Sequence, residues 1–450
     1  MAHGPADVTE RALYRRAVEA VIWGMPAVNC DLMYQAMVRA KGAFNQIAYW
    51  SRLPDWKIQT LTPNPDAIYL TPFTNTAEVG PLVLEIPPAD EGSITGTVMD
   101  VWQCALEDVG PAGVDKGRGG KYLILPPGYK ANVPADYIPM PSDTYEGYAL
   151  LRSIPKSGSD TDVAKAVAYG KRIKLYPLSE ASRAPATIFV DVADVVYDST
   201  IPYDLRFFES LNRIVQAEPW LERDKAVIDQ LASIGIVKGT PFNPDSRMTA
   251  LLNDAAREAQ AWLVARYEGA LSSSPYYDGG HWARPGSREL FEGQATFFAK
   301  PDVYPVDIRG VTFSYAYFTP KNLGAAAGSS YLLAIADQDG RLLDGGATYQ
   351  LTVPPNAPVK QYWSATVYDR ATHAPIRNAR WPSRSSQTPG LQKNADGSVD
   401  VYFGPNPPPG KESNWVPTST DGGFEVLFRF YGPEKSLFEK TWRLPDIKKV

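Results

Sequence analysis

In the run Thr62-Pro-Asn-Pro-Asp-Ala-Ile-Tyr69, Asn64, Asp66 and Tyr69 bring an amide, a carboxylate and a phenol to the mouth of a strand-like segment. A carboxylate placed there can serve as a general acid or base or anchor a ligand, while the amide donates to a developing oxyanion and the phenol orients the reacting group. The same Asn-Pro-Asp is also ordinary turn chemistry, with side chains bonding the local backbone. A second run, Tyr362-Trp-Ser-Ala-Thr-Val-Tyr-Asp369, lies far along the chain. Strand alternation puts Trp363 and Asp369 on one side and Ser364, Thr366 and Tyr368 on the other. Arg384 follows in a Ser/Arg-rich turn, where its guanidinium could clamp a carboxylate. A polar cluster holding a sandwich corner is the alternative for these residues.

Other residues offer less. Asp100 and Trp102 share a face if their strand continues, and Trp102 could then floor a ligand cleft beside an acid, although a core tryptophan accounts for it equally well. Lys116-Gly-Arg-Gly-Gly-Lys121 lacks the phosphate-loop spacing, since Tyr122 follows where Ser or Thr is required. Asp337, Asp339 and Asp344 miss the calcium-loop pattern and read as a hairpin turn. There are 3 histidines. With His3 set aside in the N-terminal leader, a Ser-His-Asp base could only be His281 or His373. His281, in Tyr276-Tyr-Asp-Gly-Gly-His-Trp282, is the better candidate as a site residue, and a three-histidine metal site is nearly ruled out. No cofactor and no metal is called for.

The 450 residues carry a formal net charge of -5, and no basic run marks a nucleic-acid surface. A small-molecule or short oligomeric ligand suits this balance better, and a homo-oligomer is open. Cys30 and Cys104 are too few for a disulfide framework or a zinc ribbon and read as two buried thiols, with one disulfide as the alternative. No apolar run is long enough for a membrane span. The first ten residues have neither a basic nor an apolar signal region, so no signal peptide is visible.

The elements that must position these groups follow from periodicity and punctuation. Asp7 and Glu10 have capping-box spacing, and Leu13, Ala17, Val21 and Ile22 recur at helical intervals. This predicts a helix that breaks at Gly24-Met-Pro26 and a second helix over 30–40. Short strands are predicted over 67–71, 82–86, 95–100, 122–125 and 148–151, then a helix capped at Ser159 and running to about Ile173. Apolar stripes through Phe207 and Leu211, Val227 and Leu231, and Leu251 and Leu263 predict helices across 203–269. A second β-rich unit is predicted from Val311, with strands over 312–318, 331–336, 349–353, 362–368, 399–403 and 424–431.

The fold class expected is α+β multidomain and β-rich. It has a helical lead-in (1–45), a first β-sandwich (46–200), a central helical segment (201–300) and a second β-sandwich (301–450). The front half resembles the bacterial domain of unknown function 1254 through Trp23-Gly-Met-Pro26, Asn64-Pro-Asp-Ala-Ile-Tyr69 and the stretch Asp108 to Tyr129. The back half resembles the domain of unknown function 1214 through Asp339-Gly-Arg-Leu-Leu-Asp-Gly345, Trp363 to Asp369, Asn414-Trp-Val-Pro417 and Arg429-Phe-Tyr-Gly-Pro433. Ala67 and Arg380-Trp-Pro-Ser-Arg384 depart from the usual pattern. The resemblance implies two jelly-roll-like antiparallel sandwiches and a periplasmic or exported setting, with a cytoplasmic one left open by the chain itself. It implies no settled activity. A hydrolase-like enzyme acting in a cleft near the domain junction is one expectation, with Asp66 as acid/base, Asn64 and Tyr69 orienting, and Trp102, His281, Trp363, Tyr368, Asp369 and Arg384 binding substrate. A non-enzymatic ligand-binding or envelope-associated protein is the alternative.

Overall fold

The computed structural model describes residues 7–300, 302–317, 320–321 and 328–450; His3 lies outside them. The chain opens with one long helix, Val8–Arg39, whose N-terminus is capped by Asp7 accepting from the Thr9 and Glu10 amides. The sequence predicts a break at Gly24–Pro26, yet the helix runs through Pro26. Pro26 lacks the N–H that would bond the Ile22 carbonyl, a cost of roughly 3 kcal/mol in a helix interior. Burial outweighs it: 20–31 are buried all round, packed by the helices Leu205–Ala217, Ser246–Ser273 and Val306–Tyr315. Gly24 and Gly310 admit this packing, since a Cβ would stand 2.9 Å from Leu211 Cδ1 at Gly24 and 2.7 Å from the Ile22 carbonyl at Gly310.

The strand predicted over 312–318 is a second correction, because Val306–Tyr315 is helical. Its β-branched and aromatic composition imitates a strand, but docking on Val8–Arg39 decides the conformation, as tertiary context overrides propensity. Asn29 Nδ2 closes the contact by donating to the Phe313 carbonyl at 2.8 Å and the Ala316 carbonyl at 2.9 Å. Phe318 lies outside the described residues.

The chain is a multidomain α+β protein with several mostly antiparallel sheets. In the first sandwich a 6-stranded sheet centred on Ile68–Asn75 and Glu146–Ser153 faces a 4-stranded sheet containing Leu82–Ile86 and Gly120–Leu125. Ile68, Leu70, Leu84, Tyr122 and Leu151 fill the space between them. The other face of the larger sheet carries Tyr69, Phe73, Tyr148 and Leu150 into the helical layer. Alternation along each strand thus serves two cores at once.

In the second sandwich the sheet built from Ser329–Ala334, Phe424–Tyr431, Trp363–Asp369 and Ser383–Ser385 faces one containing Tyr349–Val353 and Val399–Gly404. Trp363, Ala365, Val367, Phe424, Val426, Phe428 and Phe430 point into that core. The opposite face of the same strands carries Ser364, Thr366, Tyr368, Glu425, Arg429 and Tyr431, all buried. Strand register sets Tyr331, Arg429, Ser364 and Ser385 side by side across it. A buried polar sheet face must find partners, and here the first domain supplies them. Among the described residues no helix is long and apolar enough to cross a membrane.

Candidate functional site

The partner of the polar face is the loop Thr62–Asp66. Thr62 holds a positive φ of 43°, and its amide donates to the His373 carbonyl at 2.7 Å. The Asn64 amide N–H donates to the Tyr69 hydroxyl at 2.7 Å, and Asn64 Oδ1 accepts from the Asp66 N–H at 3.0 Å, so part of the motif is turn chemistry. Asn64 Nδ2 crosses the junction to donate to the hydroxyls of Tyr362 at 3.1 Å and Tyr431 at 2.5 Å, whose rings stack 4.3 Å apart.

Arg429 fastens the next part of the loop. Its Nη1 donates to Thr366 Oγ1 at 2.8 Å, and its Nη2 to the carbonyls of Thr62 at 2.9 Å and Pro63 at 3.1 Å and to the Tyr368 hydroxyl at 2.6 Å. Tyr368 in turn donates to the Pro63 carbonyl. Tyr331 stands beside this arginine, accepting from Arg152 Nη1 of the first domain at 3.2 Å. Burial acts to raise the Tyr331 phenol, but the guanidiniums of Arg152 and Arg429 outweigh it and bring it below its ordinary value.

Asp66 forms the corner of this network. Ser383 Oγ donates to its Oδ2 at 3.0 Å. Unlike its neighbours Asn64 and Ala67, Asp66 keeps part of its surface open, yet it is seated deeply enough that burial pushes its carboxyl up, against Ser383, Arg429, Ser364 and Arg384, which all favour the carboxylate. Ser364 Oγ lies near that carboxylate, fully buried, and makes no hydrogen bond of good geometry among the described residues. Arg384 flanks the corner, donating to the carbonyls of Ser383 at 3.1 Å and Glu412 at 3.3 Å and lying 4.0 Å over the Trp381 ring. Among the described residues its Nε has no hydrogen-bond partner. Burial, with the like charge of Arg380, lowers the Arg384 guanidinium to about 10, while Asp66 opposes the shift.

Of the residues singled out in the sequence, Asn64, Asp66, Tyr69 and Tyr368 come together here, and Arg384, paired with Ala365 on the edge strand, reaches the corner only through the Ser383 carbonyl. Trp363 is on the opposite face, stacked on Phe428 with centroids 5.5 Å apart, and Asp369 caps its own turn by accepting from the Thr372 amide and hydroxyl at 2.9 Å. The strand carrying Asp100 ends at that residue, so Trp102 shares no strand face with it; Trp102 packs on Trp23 at 4.6 Å in the helical layer. His281 Nδ1 meets Asp446 Oδ2 at 3.2 Å in another loop. His373 instead borders the junction, its Nδ1 against Glu425 Oε1 at 3.0 Å while Tyr267 donates to Glu425 Oε2 at 2.5 Å. Arg429, Glu425 and Ser364 belong to the junction as well, and their signal in the sequence is Glu425, Arg429 and Tyr431 alternating with Phe424, Val426, Phe428 and Phe430, the mark of a second, polar interface. On the helical side of Tyr69, a cavity of about 10 Å³ lined by Thr60, Tyr69, Tyr197 and Tyr317 has room for no more than one water.

Two β-sandwiches joined through a helical layer and a buried polar junction define the class of protein. Residues 44–177 match the family described as Protein of unknown function (DUF1254), and residues 328–435 match Protein of unknown function (DUF1214). The N-terminal part of the chain thus matches DUF1254 and the C-terminal part DUF1214, in that order. The VPA0106 protein from Vibrio parahaemolyticus has a similar structure, at 19% identity and a TM-score of 0.59, over 97% of this chain and 100% of that one. That likeness shows the fold alone. A putative uncharacterized protein from Burkholderia cenocepacia aligns over 99% of this chain and 90% of its own at 11% identity, and its TM-score of 0.41 is too low to speak for a shared fold. No match is found among curated proteins.

Proposed function

We propose that this protein binds a small polar or aromatic ligand at the Asp66 corner, where the two sandwiches meet. The supporting observation is Asp66, a residue partly exposed in an otherwise closed polar junction, beside the Ser364 hydroxyl and Arg384 Nε, which have no hydrogen-bond partner of good geometry among the described residues. Buried polar atoms without partners are costly, and a ligand offering a donor and an acceptor would satisfy them. Asn64 and Tyr69 are engaged in bonds that hold the loop, which favours binding over oxyanion chemistry. The test is a thermal-shift screen of sugars, peptides, metals and aromatic acids on the wild type and Asp66→Asn. A ligand shift lost in an equally stable Asp66→Asn supports the corner; shifts that all survive in the variant move the site elsewhere.

One observation favours a second reading, hydrolysis. Asp66, its carboxyl raised by burial, accepts from the Ser383 hydroxyl at 3.0 Å, the arrangement in which a carboxylate could take a proton from an attacking group. Turnover of nitrophenyl esters that disappears in both Asp66→Asn and Ser383→Ala would support this reading, and turnover unchanged in either would end it. A periplasmic or exported setting and a homo-oligomer complete the proposal, tested by cell fractionation and by light scattering of the purified chain.

A further inference from the structure

The charges around the Asp66 corner do not balance. Arg384 is 5% exposed and, among the described residues, bonded only to two backbone carbonyls, with its Nε left over. Arg380, exposed, lies 4.2 Å over the same Trp381 ring, and neither arginine is in an ion pair among the described residues. Arg429, 2% exposed, is held among the described residues by uncharged oxygens. Asp66 is the acid that Arg384 and Arg429 both act on. Two buried guanidiniums and the exposed one of Arg380 stand against one carboxylate, and around the buried two water screens the excess positive charge poorly. Trp381, half-buried, has the guanidiniums of Arg380 and Arg384 against its ring at 4.2 Å and 4.0 Å. Arginine presents a planar fork that matches a carboxylate.

We propose that the Asp66 corner takes a small hydroxylated carboxylate, its anionic group facing Arg380 and Arg384 beside Trp381 and its hydroxyl donating to Asp66. This rests on the reading of the corner as a ligand site and adds the ligand's chemical class. The negative charge of Asp66 itself, close to the bound anion, makes a singly charged anion a better fit than a phosphate dianion. The low guanidinium value of Arg384 points the same way, because a neighbouring anion would restore its ordinary proton affinity.

The experiment is calorimetric titration of the full chain with 4-hydroxybenzoate, 4-hydroxybenzyl alcohol, benzoate and inorganic phosphate at millimolar concentrations. On the wild type, 4-hydroxybenzoate should bind about tenfold tighter than 4-hydroxybenzyl alcohol, with a preference that shrinks as salt is raised. Arg384→Gln should abolish that preference. Arg380→Gln, exposed and so neutral for folding, should weaken it and stands in if Arg384→Gln does not fold. Asp66→Asn should weaken 4-hydroxybenzyl alcohol while leaving benzoate unaffected. Equal binding of the acid and the alcohol, or a preference untouched by either arginine change, overturns the anionic ligand while leaving the corner standing. Benzoate matching 4-hydroxybenzoate, or phosphate exceeding both, overturns the hydroxy-carboxylate class. If Asp66→Asn changes no probe's binding, or no probe binds, the corner itself is not the site.

Discussion

At the scale of single residues, the carboxyls buried between helix and sheet govern the response to pH. Glu218 accepts the amide protons of Tyr145 and Glu146 at 2.7 Å and so ties the start of the strand Glu146–Ser153 to the helical layer. Burial, with the charges of Glu218, Asp31 and Glu78, pushes the Glu146 carboxyl up to about 8, and burial pushes Glu218 up to about 7 against those amide bonds. Both folded values lie above the ordinary 4.5, so the folded chain holds protons that the unfolded chain has released. Stability is therefore greatest at the acidic end of this window and falls as pH rises towards 8. Glu146→Gln should raise the melting temperature at pH 9 and leave it nearly unchanged at pH 5, measured by calorimetry. Equal melting of variant and wild type at pH 9 would show that Glu146 carries no such burden. In the junction, Asn64→Ala should cost about 2–3 kcal/mol in urea denaturation, because the Tyr362 and Tyr431 hydroxyls lose their shared donor inside the protein.

At the scale of elements, the Val8–Arg39 helix is held by close approach. Gly310→Ala puts a methyl 2.7 Å from the Ile22 backbone oxygen, which cannot rotate away, whereas Gly24→Ala meets the flexible end of Leu211 at 2.9 Å. The first should destabilise by about 1–3 kcal/mol, and the second by clearly less. Thermal melts of the two variants compare them directly, and a reversed order would mean that the helix pair is less rigidly seated. The unbroken helix and the helical Val306–Tyr315 share one cause: each sits against the other in a core where burial outweighs a proline penalty and a strand-like composition.

At the scale of the molecule, the two sandwiches share a buried polar seam where separate domains would often present looser surfaces. Arg429 bonds Thr62 and Pro63 of the front half while bonding Thr366 and Tyr368 of the back half. Inside the seam Gln59 reaches the Pro375 carbonyl at 2.8 Å, and nearer solvent Arg377 pairs with Asp198 at 2.6 Å. The wild type should unfold in one calorimetric transition. Arg429→Leu should lose about 3 kcal/mol or more by stranding its acceptors and should separate the unfolding of the two sandwiches. A single transition at the wild-type temperature in that variant would remove Arg429 from the coupling.

The sequence alone determined the α+β composition, the order of the two domains, most strands of both sandwiches and the helical stripes, because periodicity and turn residues are local records of which face is buried. It also placed Asn64, Asp66 and Tyr69 in a turn leading into a strand, and Trp363 opposite Ser364, Thr366 and Tyr368. Only the tertiary structure decided that Pro26 lies inside a helix and that Thr312 to Tyr315 are helical, since neighbours distant in the chain supply the burial that overrides local preference. It alone brought Ser383 and Arg384 to Asp66, gave the amide of Asn64 to two stacked tyrosines, and set Trp102 and His281 apart from them. Alternation tells which side of a strand is polar; which distant loop satisfies that side depends on how the two sandwiches dock.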